Sequence, residues 1–159
     1  LAADPAYIAG NPAAANGTIA DDTAGAWYAA HLGQGPMDWS GDEDRDGLTQ
    51  LLEYGMALDP ARSDPSAKLP VGQREVIGAD TCLTLTLRES NAAPEVVRTL
   101  QGCATLPGPW TDLPVDGDDV VREVLDHDVD GDGAAALVKY KLKLVPGDRR
   151  MFLRMQMER

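Results

Sequence analysis

The chain of 159 residues is long enough for one ordinary domain or two small ones, and its formal net charge is −12. Only 5% of its residues are aromatic, so any core must be built chiefly from Leu, Val, Ala and Met. No apolar run reaches the roughly 18 residues of a membrane-spanning helix, which predicts no membrane span. Residues 1–64 hold 11 acidic against 2 basic residues, whereas residues 139–159 hold 7 basic against 2 acidic. This asymmetry argues against nucleic-acid binding, which needs a basic groove, and suits cation binding at the acidic end.

Residues 1–22 are rich in alanine and are interrupted by Pro5, Gly10, Pro12 and Gly17. They show no helical or strand periodicity, which predicts an extended N-terminal arm. A segment with little core of its own becomes ordered by lying on its own chain or on a neighbouring copy. The triplet that begins at Asn16 matches a glycosylation sequon, although such triplets also arise by chance.

Residues 23–62 are expected to form a small helical unit. Thr23 can cap a short helix that Gly33 closes, and Trp27 would face inward. After a loop, an apolar stripe predicts a second, amphipathic helix. The stripe contains Leu48, Leu51, Leu52, Gly55 and Leu58.

The segment DEDRDGLTQLLE, which starts in the loop between these helices and runs into the second one, has the spacing of a calcium-binding loop. Calcium takes six to eight oxygen ligands, and a loop can supply them when carboxylates recur at every second residue. Positions 1, 3, 5, 7, 9 and 12 of the loop are Asp42, Asp44, Asp46, Leu48, Gln50 and Glu53. Leu48 would offer its carbonyl, Gln50 would act through water and Glu53 would bind bidentately. Gly47 permits the sharp turn, and Glu43, which has no place in the shell, should face solvent.

Residues 63–79 contain Pro65 and Pro70 and are predicted to be a linker. In residues 80–159 the apolar period changes to two, and five short runs predict an antiparallel β-sheet or sandwich domain. In the fourth run Val138, Tyr140 and Leu142 alternate with lysines. The fold class expected is therefore α+β, mainly β.

A second acidic stretch lies between two of the predicted strands. Asp128, Asp130 and Asp132 repeat the start of the first loop, and Asp126 is a further candidate ligand. Lys139 occupies the place of the closing glutamate, so two interpretations stay open. One is a second, weaker calcium site, and the other is a polar hairpin turn.

The two cysteines, Cys82 and Cys103, lie outside any CxxC motif and lack a histidine cluster, which argues against zinc. In a secreted chain they would form one disulfide, and the alternative is two free core thiols. The only histidines, His31 and His127, accompany no recognisable catalytic motif, so no enzymatic activity is expected.

DEDRDGLTQLLEYGMALDP resembles a calcium-loop segment of secreted bacterial modules, related to thrombospondin type 3 repeats and more distantly to dockerins and EF-hands. In that family a Trp-bearing helix precedes the loop and a β module follows it. LQGCATLPGPW and RRMFLRMQM are similar to parts of that module, so the resemblance covers roughly residues 24–159. It implies calcium at the first loop. Asp59 stands where the family has its Asp-Pro and is not assigned as a ligand. The family usually has Ser at position 103, which supports a disulfide particular to this chain.

These observations lead to an expected function outside the cell. The start at Leu1 fits a mature product whose signal peptide has been removed, or a different boundary. We expect a calcium-stabilised structural subunit, secreted or at the cell surface, which assembles into a filament or surface layer as its arm docks on a neighbouring copy. The alternative is a carbohydrate- or wall-binding accessory module. That alternative needs an exposed aromatic platform formed by Trp39, Trp110 and Tyr140, which would otherwise belong to the core.

Overall fold

The computed structural model describes residues 23–145 and 151–159. Within these ranges the fold is mainly β, with two helices and seven antiparallel strands in two sheets, and it confirms the expected fold class. The predicted arm at residues 1–22, with Asn16, lies outside the described residues.

The first helix, α1, spans Thr23–Leu32, and Gly33 at φ +87° ends it as the sequence predicts. Glycine suits this position because other residues rarely adopt a positive φ. The helix buries Ala24 and Tyr28. The second helix, α2, spans Gln50–Met56 and is shorter than the apolar stripe suggested.

The strands form a four-stranded sheet in the order β1-β2-β6-β5 and a three-stranded sheet in the order β4-β3-β7. Their bounds are Val71–Ile77 (β1), Asp80–Ser90 (β2), Val97–Cys103 (β3), Thr111–Asp112 (β4), Val120–Asp126 (β5), Ala135–Lys143 (β6) and Phe152–Glu158 (β7). All five predicted strands are present, as β2, β3, β5, β6 and β7. Two more, β1 and β4, were not predicted.

One apolar core is shared by both sheets and both helices. Leu87 of β2, Leu100 of β3 and Val138 of β6 are each at most 1% exposed, and Tyr54 and Met56 of α2 join them. Along β6 the buried Val138, Tyr140 and Leu142 alternate with lysines, as predicted. The helices therefore pack on the sheets through a common core.

Strand β1 lies inside residues 63–79, the stretch predicted to be a linker. It pairs with β2 along its whole length, from Val71 opposite Thr86 to Ile77 opposite Asp80. The apolar alternation that reveals the other strands is missing because β1 is an edge strand with most side chains exposed. Main-chain hydrogen bonds to β2 place it in the sheet, and Glu75 adds side-chain contacts with Thr84 of β2 and Lys139 of β6.

The predicted disulfide is wrong: Cys82 and Cys103 are both free, and both are buried. Cys82 lies in β2, between Glu75 of β1 and Lys143 of β6. Cys103 ends β3 in the other sheet and lines a small cavity with Leu113 and Met151. The two thiols have different neighbours in different sheets, and each packs as a small apolar side chain.

Candidate metal centre

The first acidic loop is folded by its own carboxylates. Asp42 accepts hydrogen bonds from the backbone N–H groups of Asp46 (3.2 Å) and Gly47 (3.0 Å). Asp44 accepts from Asp46 N (3.0 Å), and Asp46 accepts from Leu48 N (2.9 Å). Gly47 has φ +96°, the backbone conformation for which the sequence analysis required a glycine. The side chain of Glu43 is exposed, as predicted.

Helix α2 places Glu53 next to this loop. The side chain of Thr49 caps the helix by accepting from Leu52 N (3.5 Å). At the other end Arg98 donates to the carbonyl of Gly55 (3.0 Å). Sheet residues thus hold the C-terminal end of the helix, and Glu53, one turn earlier, is only 1% exposed.

The deeply buried face of α2 differs from the predicted stripe. Gln50, Glu53 and Tyr54 are buried, whereas Leu51 and Leu52 are only half-buried. Gln50 packs so closely on Gly41 that a Cβ there would lie 2.5 Å from Gln50 Oε1. The face with the polar residues is buried because it turns towards the acidic loop.

Two groups of carboxylates converge at the loop. Ligand oxygens of Asp42, Asp44 and Asp46 lie within 4.8 Å of one another, and so do those of Asp46, Glu53 and Asp64. Asp46 belongs to both groups and joins them. These two groups of acidic residues, which include the predicted aspartates and Glu53, could hold a metal ion.

Buried oxygens without hydrogen-bond partners test whether a cation fits here. Such atoms are Asp44 Oδ2, both carboxylate oxygens of Glu53, Asp64 Oδ2 and Gln50 Oε1. A buried polar atom without a partner is costly, and buried charges are normally paired or bind metals. Five such oxygens in and around one acidic loop provide the ligands that a hard cation needs.

The pKa values of the carboxyl groups point to the same place. Burial, followed by the charges of Asp44, Asp46 and other aspartates, raises the pKa of Glu53 to about 8. Burial also raises the pKa of Asp44 and that of Asp64. Without a cation, the site therefore disfavours its own ionised form.

Asp64 was not predicted from the sequence. It lies 11 residues beyond Glu53, in the stretch predicted to be a linker, and no spacing rule connects it with the loop. Its backbone N–H donates to Asp46 Oδ2 (3.1 Å). Asp59, which was left unassigned, instead accepts from Ala61 N (3.1 Å) and belongs to neither carboxylate group.

The second acidic loop connects β5 to β6, and its carboxylates have other partners. Asp130 forms an ion pair with Arg88, whose side chain is 4% exposed. Asp126, Asp128 and Asp132 accept hydrogen bonds from backbone N–H groups of the same loop. These contacts are those of a polar hairpin turn, and the carboxylate groups that can hold a metal in the described part of the chain do not include this loop. The second calcium site stays a prediction without structural support.

The three aromatic residues considered for a binding platform lie apart from one another. Trp39 stacks on Trp27, with 6.1 Å between ring centroids, and also contacts Tyr54. Tyr140 is buried and donates to Glu89 (2.5 Å). Trp110 is half-buried beneath the Arg154 guanidinium, 4.4 Å from the ring centroid.

No family model matches the chain, and a comparison with curated proteins finds no significant match. In the described ranges, neither helix has the length and apolar character needed to cross a membrane.

Proposed function

We propose that this protein is a calcium-stabilised extracellular structural protein. The observation that carries the proposal is the pair of carboxylate groups that share Asp46, in which oxygens of Asp44, Glu53 and Asp64 are buried without hydrogen-bond partners. The candidate donors are all oxygens, which favours a hard cation over zinc or copper. A site with this many carboxylates suits calcium better than magnesium, which usually keeps several waters.

The proposed ligands follow the spacing of the loop. Asp42, Asp44 and Asp46 would bind through carboxylate oxygens, and Glu53 would close the shell from α2. Leu48 would contribute its carbonyl and Gln50 would act through water. The ion would supply the positive charge that offsets the repulsion among these carboxylates, so folding of the helical unit is linked to calcium.

Secretion and the relationship to the bacterial modules with thrombospondin type 3-like loops are part of this proposal. Calcium is abundant outside cells and scarce inside them, so a fold that needs it suits an extracellular location. The resemblance of DEDRDGLTQLLEYGMALDP to those modules supports the same assignment.

Calorimetric titration and thermal unfolding test the calcium site. We expect calcium to bind and to raise the melting temperature relative to protein in EDTA, because a ligand that binds only the folded state stabilises it. Magnesium at the same concentration is the control and should have a smaller effect. If calcium produces neither binding heat nor a melting shift, the proposed function is wrong.

Self-assembly through the arm at residues 1–22 completes the proposal. The four-stranded sheet ends in β1 and β5, and an edge strand can pair with an added strand. Exposed Val76 on β1 and Val121 on β5 provide apolar contacts at these edges. Deletion of residues 1–22 should abolish polymers seen by electron microscopy and light scattering. Polymers that persist in the deletion variant, or an intact protein that is always monomeric, would contradict the role of the arm.

A further inference from the structure

Asp64 occupies an unusual position for a residue of a surface connection. It lies between α2 and β1, yet its carboxylate shares one group with those of Asp46 and Glu53, within 4.8 Å. Its backbone N–H is bound to Asp46 Oδ2, which ties this point of the chain to the loop. Its Oδ2 is buried and has no hydrogen-bond partner. The main chain therefore holds the Asp64 carboxylate against the candidate metal centre.

The charges around Asp64 do not explain this position without a cation. Lys68 and Arg88 are cationic side chains that act on it electrostatically. The ion pairs of the described residues place Arg88 on Asp130 and place neither cation on Asp64. Glu53 faces Asp64 with two further unpartnered oxygens and is 1% exposed. Two carboxylates facing each other in a buried place repel, and a cation between them removes the repulsion.

We propose that Asp64 is a ligand of the same cation, supplied from outside the twelve-residue loop. This inference rests on the proposed calcium site and extends it. The ion then binds residues from three segments of the chain: the loop, α2 and residues 57–70, which lead into β1. The sequence spacing of a calcium loop accounts for the first two segments only.

A consequence is that calcium controls the exposure of the segment between α2 and β1. Leu58 and Pro60 are buried and anchor the start of this segment. Arg62 and Lys68 lie on either side of Asp64, and Arg62 is exposed. Release of Asp64 in calcium-free protein should free the chain around both residues. Trypsin cuts after arginine and lysine, so its rate of cleavage after Arg62 and Lys68 reports whether Asp64 holds the segment in place.

The test compares Asp64→Asn with Asp59→Asn in the full chain, using calorimetric titration with calcium chloride. Asp59 is the matched control because it is a carboxylate of the same segment, its side chain accepts a hydrogen bond from Ala61 N, and it belongs to neither carboxylate group. We expect Asp64→Asn to weaken calcium binding by about tenfold or more, and Asp59→Asn to bind like the wild type. Equal calcium affinity of Asp64→Asn and the wild type would overturn the inference while leaving the calcium site intact. A wild type that binds no calcium would overturn both.

Limited proteolysis followed by mass spectrometry provides the second measurement. In saturating calcium, Asp64→Asn should be cut faster than the wild type after Arg62 and Lys68, whereas Arg45 inside the loop should stay protected in both. Equal rates after Arg62 and Lys68 would contradict the proposal that Asp64 holds this segment through the ion.

The melting temperature in EDTA separates a ligand from a structural residue. It should be unchanged or higher in Asp64→Asn, since one repelling charge is gone, and a clear decrease would show that Asp64 acts without the ion.

Discussion

Replacement of Glu53 by glutamine is expected to stabilise the metal-free protein and to remove its stabilisation by calcium. Glu53 is 1% exposed, and neither carboxylate oxygen has a hydrogen-bond partner. Its pKa is raised to about 8, first by burial and then by the neighbouring aspartates. The substitution keeps the shape of the side chain and removes the charge, so it separates the cost of that charge from its use in binding.

The pKa of Glu53 sets the size and sign of the effect in metal-free protein. A carboxyl whose pKa rises from 4.5 to about 8 binds its proton more tightly in the folded state than in the unfolded state. Stability is therefore highest below pH 4.5 with respect to this group and falls as the pH rises towards 8. At pH 7 the loss reaches about 3 kcal/mol. Glutamine avoids this loss but leaves its buried amide unpaired, at a cost of about 1–2 kcal/mol.

The assay is urea and thermal unfolding followed by circular dichroism, at pH 5 and pH 7, in EDTA and in calcium. In EDTA at pH 7 the variant should be more stable than the wild type by about 1–2 kcal/mol, and its stability should change less between the two pH values. With calcium at about 100 times its dissociation constant, the wild type should gain about 2.7 kcal/mol, or about 5–10 °C. The variant should gain much less.

Glu43→Gln is the matched control, because Glu43 is an exposed carboxylate of the same loop. It should alter stability by less than about 0.5 kcal/mol, with and without calcium. Two results would refute the reasoning. One is a Glu53→Gln variant that calcium stabilises as much as the wild type, and the other is a metal-free variant that is less stable than the wild type at pH 7.

Three further predictions concern Gly47, the two cysteines and Arg88. Gly47→Ala should lower the free energy of unfolding by about 1–3 kcal/mol, since alanine is strained at φ +96°, and an unchanged urea midpoint would contradict this. Cys82 and Cys103 should both react with a thiol reagent after unfolding without reductant, and reductant should leave the melting temperature unchanged, whereas a cross-linked pair would contradict the free thiols. Arg88→Met should lower the free energy of unfolding in urea by about 2–3 kcal/mol, because it leaves Asp130 and the carbonyl of Met56 without their charged partner. A decrease of less than about 0.5 kcal/mol, the size expected of a surface substitution, would argue against this role.

The local features of the chain were predictable because their determinants are close together in sequence. Asp42, Asp44, Asp46 and Glu53 converge because a turn and one helix are enough to bring them together. The alternation in β6 predicts its buried face, since successive side chains of a strand point to opposite sides. Gly33 marks the end of α1 because a positive φ is needed there.

Tertiary structure alone decided the contacts between distant segments. Asp64 reaches the metal centre through the path of a connection, and Arg88 engages Asp130 across 42 residues of sequence. Cys82 and Cys103 are buried in strands of different sheets and are not bonded to each other. In each case the position depends on the packing of whole elements. The sequence by itself determined that an acidic loop could collect a cation, since neighbouring carboxylates repel one another. Folding decided which remote carboxylate joins them, because only the packed core fixes where the segment after α2 runs.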